Sequence, residues 1–261
     1  GDEAATDGDM DAAYACLLAD KQWGSSGAIN YKQVGIDIIN AIMLDEVDKT
    51  KWTLKLGDWY RDPNDNDYHA TRPSDFMLNH MKAFQAATGD IRWNNVIDKT
   101  YIIINQVIDD YSANTGLLPD FLVYDSAADR YKPGSPVNEN GEKDKCYFYN
   151  ACRTPWRIGT DYLLTGDDRA YTKMLTRMNA WIQTKTNRNV NKINAGYKLG
   201  GAKLATDHNS CFTVPFGVAA MVSGSGSQAW LNKEWVYCRN TRILDDDYFG
   251  DTVKLLNMIV I

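Results

Sequence analysis

The chain has 261 residues, 44% of them hydrophobic and 24% charged, with a net charge of -6 and three His. That composition can bury one sizeable core, and it excludes a duplex-binding protein, which needs clustered Lys and Arg against phosphate. No apolar run reaches 18 residues, so a conventional spanning helix is excluded and a soluble single domain over residues 1–261 is expected, with no membrane partner.

Residues 4–24, AATDGDMDAAYACLLADKQWG, put Asp7, Asp9 and Asp11 at the start of an apolar-faced helix expected from Asp11 to Trp23. Thr6 or Asp7 could cap that helix, and acidic groups suit its positive end. Asp7 and Asp9 leave the entering chain on different sides, so one can cap while the other faces a pocket. The apolar face running to Trp23 is expected to be mostly core.

Three- and four-residue apolar spacing continues the helical pattern over Tyr31–Asp48, Ser74–Thr88, Trp93–Tyr111, Thr154–Leu164, Arg169–Thr184, Gln228–Val236 and Tyr248–Ile261. Strand-like alternation is nearly absent. SSG at 25–27 and TGD at 88–90 and 165–167 supply Gly and Asp where one helix should stop and the next begin. Regular hairpins of this kind point to an all-α array or toroid.

Two polar stretches interrupt the pattern, residues 57–73 and 112–148, and both are expected to rim a cleft. Within the first, DPNDNDYH at 62–69 spaces oxygen ligands like a calcium loop but lacks the Gly and closing Glu, which favours a solvated turn. The second ends in PVNENGEKDK, with Glu139, Glu142 and Asp144 just before YFYNACRTPWRIGTDYLLTGD. There Arg153 and Arg157 lie four apart on one helical face, beside Tyr149, Asn150 and Trp156, a set costly to bury without a ligand or a carboxylate partner. Arg153 could orient a carboxylate or a sugar hydroxyl, and the alternative is a buried structural network with Asp161 as partner. Five Cys form no CxxC pair and the odd count leaves a free thiol; Cys16 and Cys152 read as small buried hydrophobes. Eight Trp, fifteen Tyr and seven Phe, many beside Asp, Asn or Arg, suit the faces and hydroxyl edges of sugar rings.

ATDGDMDAAYACLLADKQWG resembles the signature segment of glycoside hydrolase family 8. TRPSDFMLNHMKAF, GLLPDF, YNACRTPWRIGTDYLLTGD and the terminal YFGDTVKLLNMIVI are similar to later segments of that family, in the family's order. The resemblance implies an (α/α)6 toroid, here without its N-terminal helices, and an inverting endo-acting enzyme on a β-glucan or chitosan, without cofactor or metal, secreted and monomeric. By the same resemblance Asp7 holds sugar at the cleavage subsite, Tyr149 and Arg153 flank the base, and Asp75 and Tyr248 join the substrate-binding set. Asn150 stands where the main branch has its catalytic Asp. A branch with Asn there takes its base from the preceding loop, which implies Glu139 or Glu142, with Glu139 favoured. The family's proton donor, a Glu in a motif like SEGQGYG, has no counterpart in residues 1–261, so the chain alone is expected to be inactive. The rival reading is a non-catalytic glycan-binding protein on the same fold.

Overall fold

The computed structural model describes residues 3–243 and 247–261. Its helices are α1 (Thr6–Trp23), α2 (Tyr31–Ala41), α3 (Leu78–Thr88), α4 (Arg92–Tyr111), α5 (Thr154–Thr165), α6 (Arg177–Lys185), α7 (Ser210–Thr213), α8 (Pro215–Val222), α9 (Gln228–Asn240) and α10 (Tyr248–Val260). Two antiparallel hairpins, β1–β2 (Val47–Asp48 with Thr53–Leu54) and β3–β4 (Leu122–Asp125 with Arg130–Pro133), lie in the connections. The long helical runs expected at Tyr31–Asp48 and Arg169–Thr184 each contain a π turn, Ile42–Glu46 and Tyr171–Thr176.

Helices α1, α3, α5, α8 and α10 stand side by side around a cavity of about 760 Å³, so they form the inner layer. Helices α2, α4 and α9 pack behind α1, α3 and α8. At Gly35 of α2 an added Cβ would meet the Cβ of Cys16 at 3.2 Å, which is why these two helices can approach closely. One continuous apolar cluster runs from Met10 through Phe84, Trp93, Ile104, Tyr147 and Phe216 to Val253. Cys152 is buried within it, whereas Cys16 is only half-buried.

The expected corners are present. Gly89 and Gly166 end α3 and α5 in the left-handed region, at φ 71° and 72°, where a side chain is strained. Asp90 then accepts the Arg92 N–H at 3.0 Å and opens the next helix.

Four expectations need correction. Ala5 is the residue before α1 and no side chain caps it, so neither Thr6 nor Asp7 does so. Trp23 is 72% exposed and is not core. Asp161 does not partner either arginine; it accepts from Lys82 at 2.8 Å and from Tyr101. The pair α7–α8 lies in a stretch assigned no helix, because PFGVAAMV is apolar on every side and has no stripe to betray its period.

The inner ring is not uniformly covered. Leu18, Leu164 and Ile259 line its cavity yet are 53%, 64% and 74% exposed, which makes an open apolar trough down the centre.

Candidate active site

The inner helices begin at the same end of the ring, where the first turn of α1, the 3₁₀ turn Pro73–Asp75 and the 3₁₀ turn Ala151–Arg153 before α5 meet. The two long polar connections close over that end together: Thr71 and Leu122 exchange N–H to O=C bonds, each of 2.9 Å. Gly57 and Ala5 form an isolated bridge, and a Cβ at Gly57 would sit 2.1 Å from the Trp59 ring, so only glycine lets the first connection lie against the entry to α1.

Asp7 is the hub. Its carboxylate pairs with Arg72 at 2.9 Å and Arg153 at 3.0 Å. Burial raises its pKa, but the two guanidiniums outweigh burial and hold the carboxyl below its ordinary value. Arg153 donates in turn to Ser74 Oγ at 2.9 Å and to Asn150 Oδ1 at 3.0 Å. With its oxygen so engaged, the Asn150 amide presents Nδ2 to the loop, and Glu139 Oε2 accepts from it at 2.9 Å.

Glu139, Asn150, Arg153, Asp7 and Ser74 are therefore brought into one hydrogen-bonded chain. Tyr149 adjoins it and packs edge-on to Phe249 at 6.2 Å. Glu142 is not brought in: its side chain is 89% exposed and bonds Lys145 at 2.8 Å. Asp75 is fully buried and reaches the cleft through Arg72, whose Nε bonds both its oxygens at 3.0 Å, and through Ser74, whose Oγ donates to its Oδ1 at 3.1 Å. Burial drives its pKa upward despite the guanidinium. Tyr248 opens α10 on the same rim and is almost wholly exposed.

One turn down α1, Asp11 repeats the pattern with Arg157, at 2.7 and 2.8 Å, and with His80 at 3.1 Å. His80 stacks on Tyr14 with ring centroids 3.9 Å apart. Burial, followed by the Arg157 charge, lowers the His80 pKa despite Asp11. Asp9 points elsewhere, toward Glu46. Burial and the Asp9 carboxylate push the Glu46 pKa up to about 8.

Sequence reasoning missed Arg72, Ser74 and Asp120. Asp120 is fully buried and accepts the backbone N–H groups of Phe148, Asn150 and Ala151 at 2.9, 3.1 and 2.7 Å. Burial pushes its pKa up to about 7 against the pull of those three donors. The available signal was an Asp in the apolar run GLLPDF, a position that demands partners. In 62–69, Asp62 and Asp65 accept backbone N–H groups of their own turn, and His69 meets Asp48 at 2.6 Å.

The sequence matches the family model of glycosyl hydrolases family 8 over residues 1–260. It is 55% identical to a beta-glucanase of Niallia circulans over all 261 residues and 39% identical to an endoglucanase of Bacillus sp. strain KSM-330 over 259. It spans 62% and 53% of those relatives' lengths. A solved apo structure of a beta-1,3-1,4-glucanase from Paenibacillus sp. X4 superposes with a TM-score of 0.94 at 55% identity, covering 100% of this chain and 67% of that one. A cold-adapted family 8 xylanase superposes at 0.77 with 20% identity, covering 98% of this chain and 62% of that one, and so shares the fold. Sequence match, helical ring and order of segments agree: the chain belongs to glycosyl hydrolases family 8.

Proposed function

We propose that this chain forms the base-bearing wall of the cleft of an endo-acting, inverting β-glucanase. The observation that carries the reading is the hydrogen-bonded relay from Glu139 through Asn150 and Arg153 to Asp7. An amide cannot take a proton from water, so Asn150 cannot be the base. It can hold one: its Nδ2–H fixes Glu139 Oε2 and leaves Oε1 for a water molecule. Inversion then needs a carboxylic acid about 6.5 to 9.5 Å across the cleft to protonate the leaving oxygen. Apart from Glu139, the carboxylates tied into this site are otherwise engaged, Asp7 and Asp75 by guanidiniums and Asp120 by backbone N–H groups. The donor in this reading comes from polypeptide outside residues 1–261, in keeping with the greater length of the relatives.

Neutral glucan is favoured over chitosan. Chitosan's ammonium groups need unpaired carboxylates, whereas Asp7 is neutralised twice and Asp11 by Arg157. Mixed-linkage and β-1,4 glucans are the substrate class, matching the names borne by the relatives. A polymeric substrate of this size is met outside the cell, so the reading includes secretion.

The test compares the 261-residue chain with a longer polypeptide that includes it, on barley β-glucan and on chitosan. Reducing ends should appear only with the longer protein and glucan, and Glu139→Gln should lower that rate by about 10²–10⁴-fold, the usual contribution of a positioned base. Proton NMR should find the α-anomer first. Turnover that survives Glu139→Gln sinks the assignment of the base, and glucan binding without turnover by the longer protein favours the glycan-binding reading.

A further inference from the structure

Glu139 lies on an exposed loop, and loops of that kind hold a side chain poorly unless the backbone is tied down. The ties here are two buried carboxylates. Asp144 is fully buried, and its Oδ1 accepts the N–H of Asn140, next to Glu139, at 3.0 Å. Asn138 and Gly141 bracket those two residues in the left-handed region, at φ 48° and 63°, so the loop is bent sharply and needs an anchor. Asp120 does the same on the other side, gathering the N–H groups of Phe148, Asn150 and Ala151.

The two anchors are themselves joined. The Asp120 N–H donates to the Cys146 carbonyl at 2.8 Å and the Phe121 N–H to the Asp144 carbonyl at 3.1 Å. Two short segments bonded to each other, 120–121 and 144–146, thus carry the two carboxylates, Asp144 fastening the Glu139 turn and Asp120 the Asn150 turn. A buried carboxylate without a cation is costly, and its return is the fixed direction of the N–H groups it collects. For Asp120 those groups open the 3₁₀ turn that leads into α5, where negative charge is favoured by the dipole.

We infer that Asp120 and Asp144 are positioning residues that jointly set the Glu139–Asn150 hydrogen bond. The inference rests on the reading of Glu139 as base, and extends it to the parts that aim the base. Neither aspartate touches substrate; each acts through a backbone turn.

The experiment is NMR of the ¹⁵N-labelled 261-residue chain. The Asn150 side-chain amide is assigned by its loss in Asn150→Ala, and its hydrogen bond is read as the shift difference between wild type and Glu139→Ala, which removes the acceptor. Asp120→Asn and Asp144→Asn are each expected to melt cooperatively and to move the Asn150 amide to the Glu139→Ala position. A role in stability alone lowers the melting temperature and leaves the amide where it is in the wild type. That result, in either folded variant, overturns the assignment for that aspartate. Should Asp120→Asn not fold, Asp120→Glu, which keeps the charge and lengthens the arm, takes its place under the same two outcomes. Identical amide shifts in wild type and Glu139→Ala overturn the inference outright. Turnover of the longer protein surviving Glu139→Gln instead removes the base reading and leaves the amide result standing.

Discussion

Helix α1 is joined to α5 and to the 3₁₀ turn that leads into it by two rungs built from the same parts, Asp7 with Arg153 at the end of that turn and Asp11 with Arg157 in α5, the second pair four residues on from the first. Their surroundings differ. The upper rung carries a second guanidinium, a serine and the Asn150 amide, and opens on the cleft. The lower rung carries His80, stacked on Tyr14, and lines the apolar trough. Identical spacing on both sides therefore yields one rung that transmits position to Glu139 and one that fastens the ring.

Breaking the upper rung should have the larger effect on function. Arg153→Met removes the donors to Asp7, Ser74 and Asn150 at once, and kcat/KM of the longer protein on β-glucan should fall about 100-fold, as expected when a reacting group shifts by about an ångström. A fall of less than threefold in a folded variant would erase the distinction between the rungs.

Arg157→Met should move stability and spare the chemistry. Urea unfolding should report a loss of about 1–2 kcal/mol, well below the usual 3–5 for a broken buried pair because Asp11 is half exposed. Activity per folded molecule should stay within about twofold. A loss of activity as large as that of Arg153→Met would make both rungs functional.

The smallest effect sharpens the comparison through pH. Burial raises the Asp11 pKa, but His80 and Arg157 together carry it well below its ordinary 3.8. The stabilisation it lends is fully present above pH 3.8 and is lost as pH falls below that value through the folded pKa. Asp11→Asn should thus be less stable than the wild type at pH 6, with the gap closing toward pH 2 in acid unfolding followed by circular dichroism. A gap that is constant with pH would mean that Asp11 contributes packing and not charge.

The sequence made the helical skeleton readable because its inner helices carry stripes and its corners carry TGD. Where the stripe vanished, at PFGVAAMV, so did the assignment. The site was half readable. Two arginines four apart ask for a ligand or a carboxylate, but periodicity says nothing about a partner 146 residues away, so Asp161 is the structural alternative their own stretch offers, while the partners are Asp7 and Asp11. Asp161 answers to Lys82 and Tyr101 at the other end of the ring. Composition does not separate Glu139 from Glu142 on one loop, and Glu139 is favoured in the sequence only through the resemblance; the Lys145 contact of Glu142 and the Asn150 amide on Glu139 distinguish them physically. Trp23 was misread for a similar reason, since an aromatic at helical spacing is core only if another helix lies against it.

The open trough has a practical corollary at the bench. Leu18, Leu164 and Ile259 offer a solvent-reachable apolar lining in the fully folded 261-residue chain. Environment-sensitive dyes such as ANS should fluoresce on it at room temperature, before any unfolding. Thermal-shift curves read with such a dye will start from a high baseline and understate the transition, so melting is better followed by ellipticity.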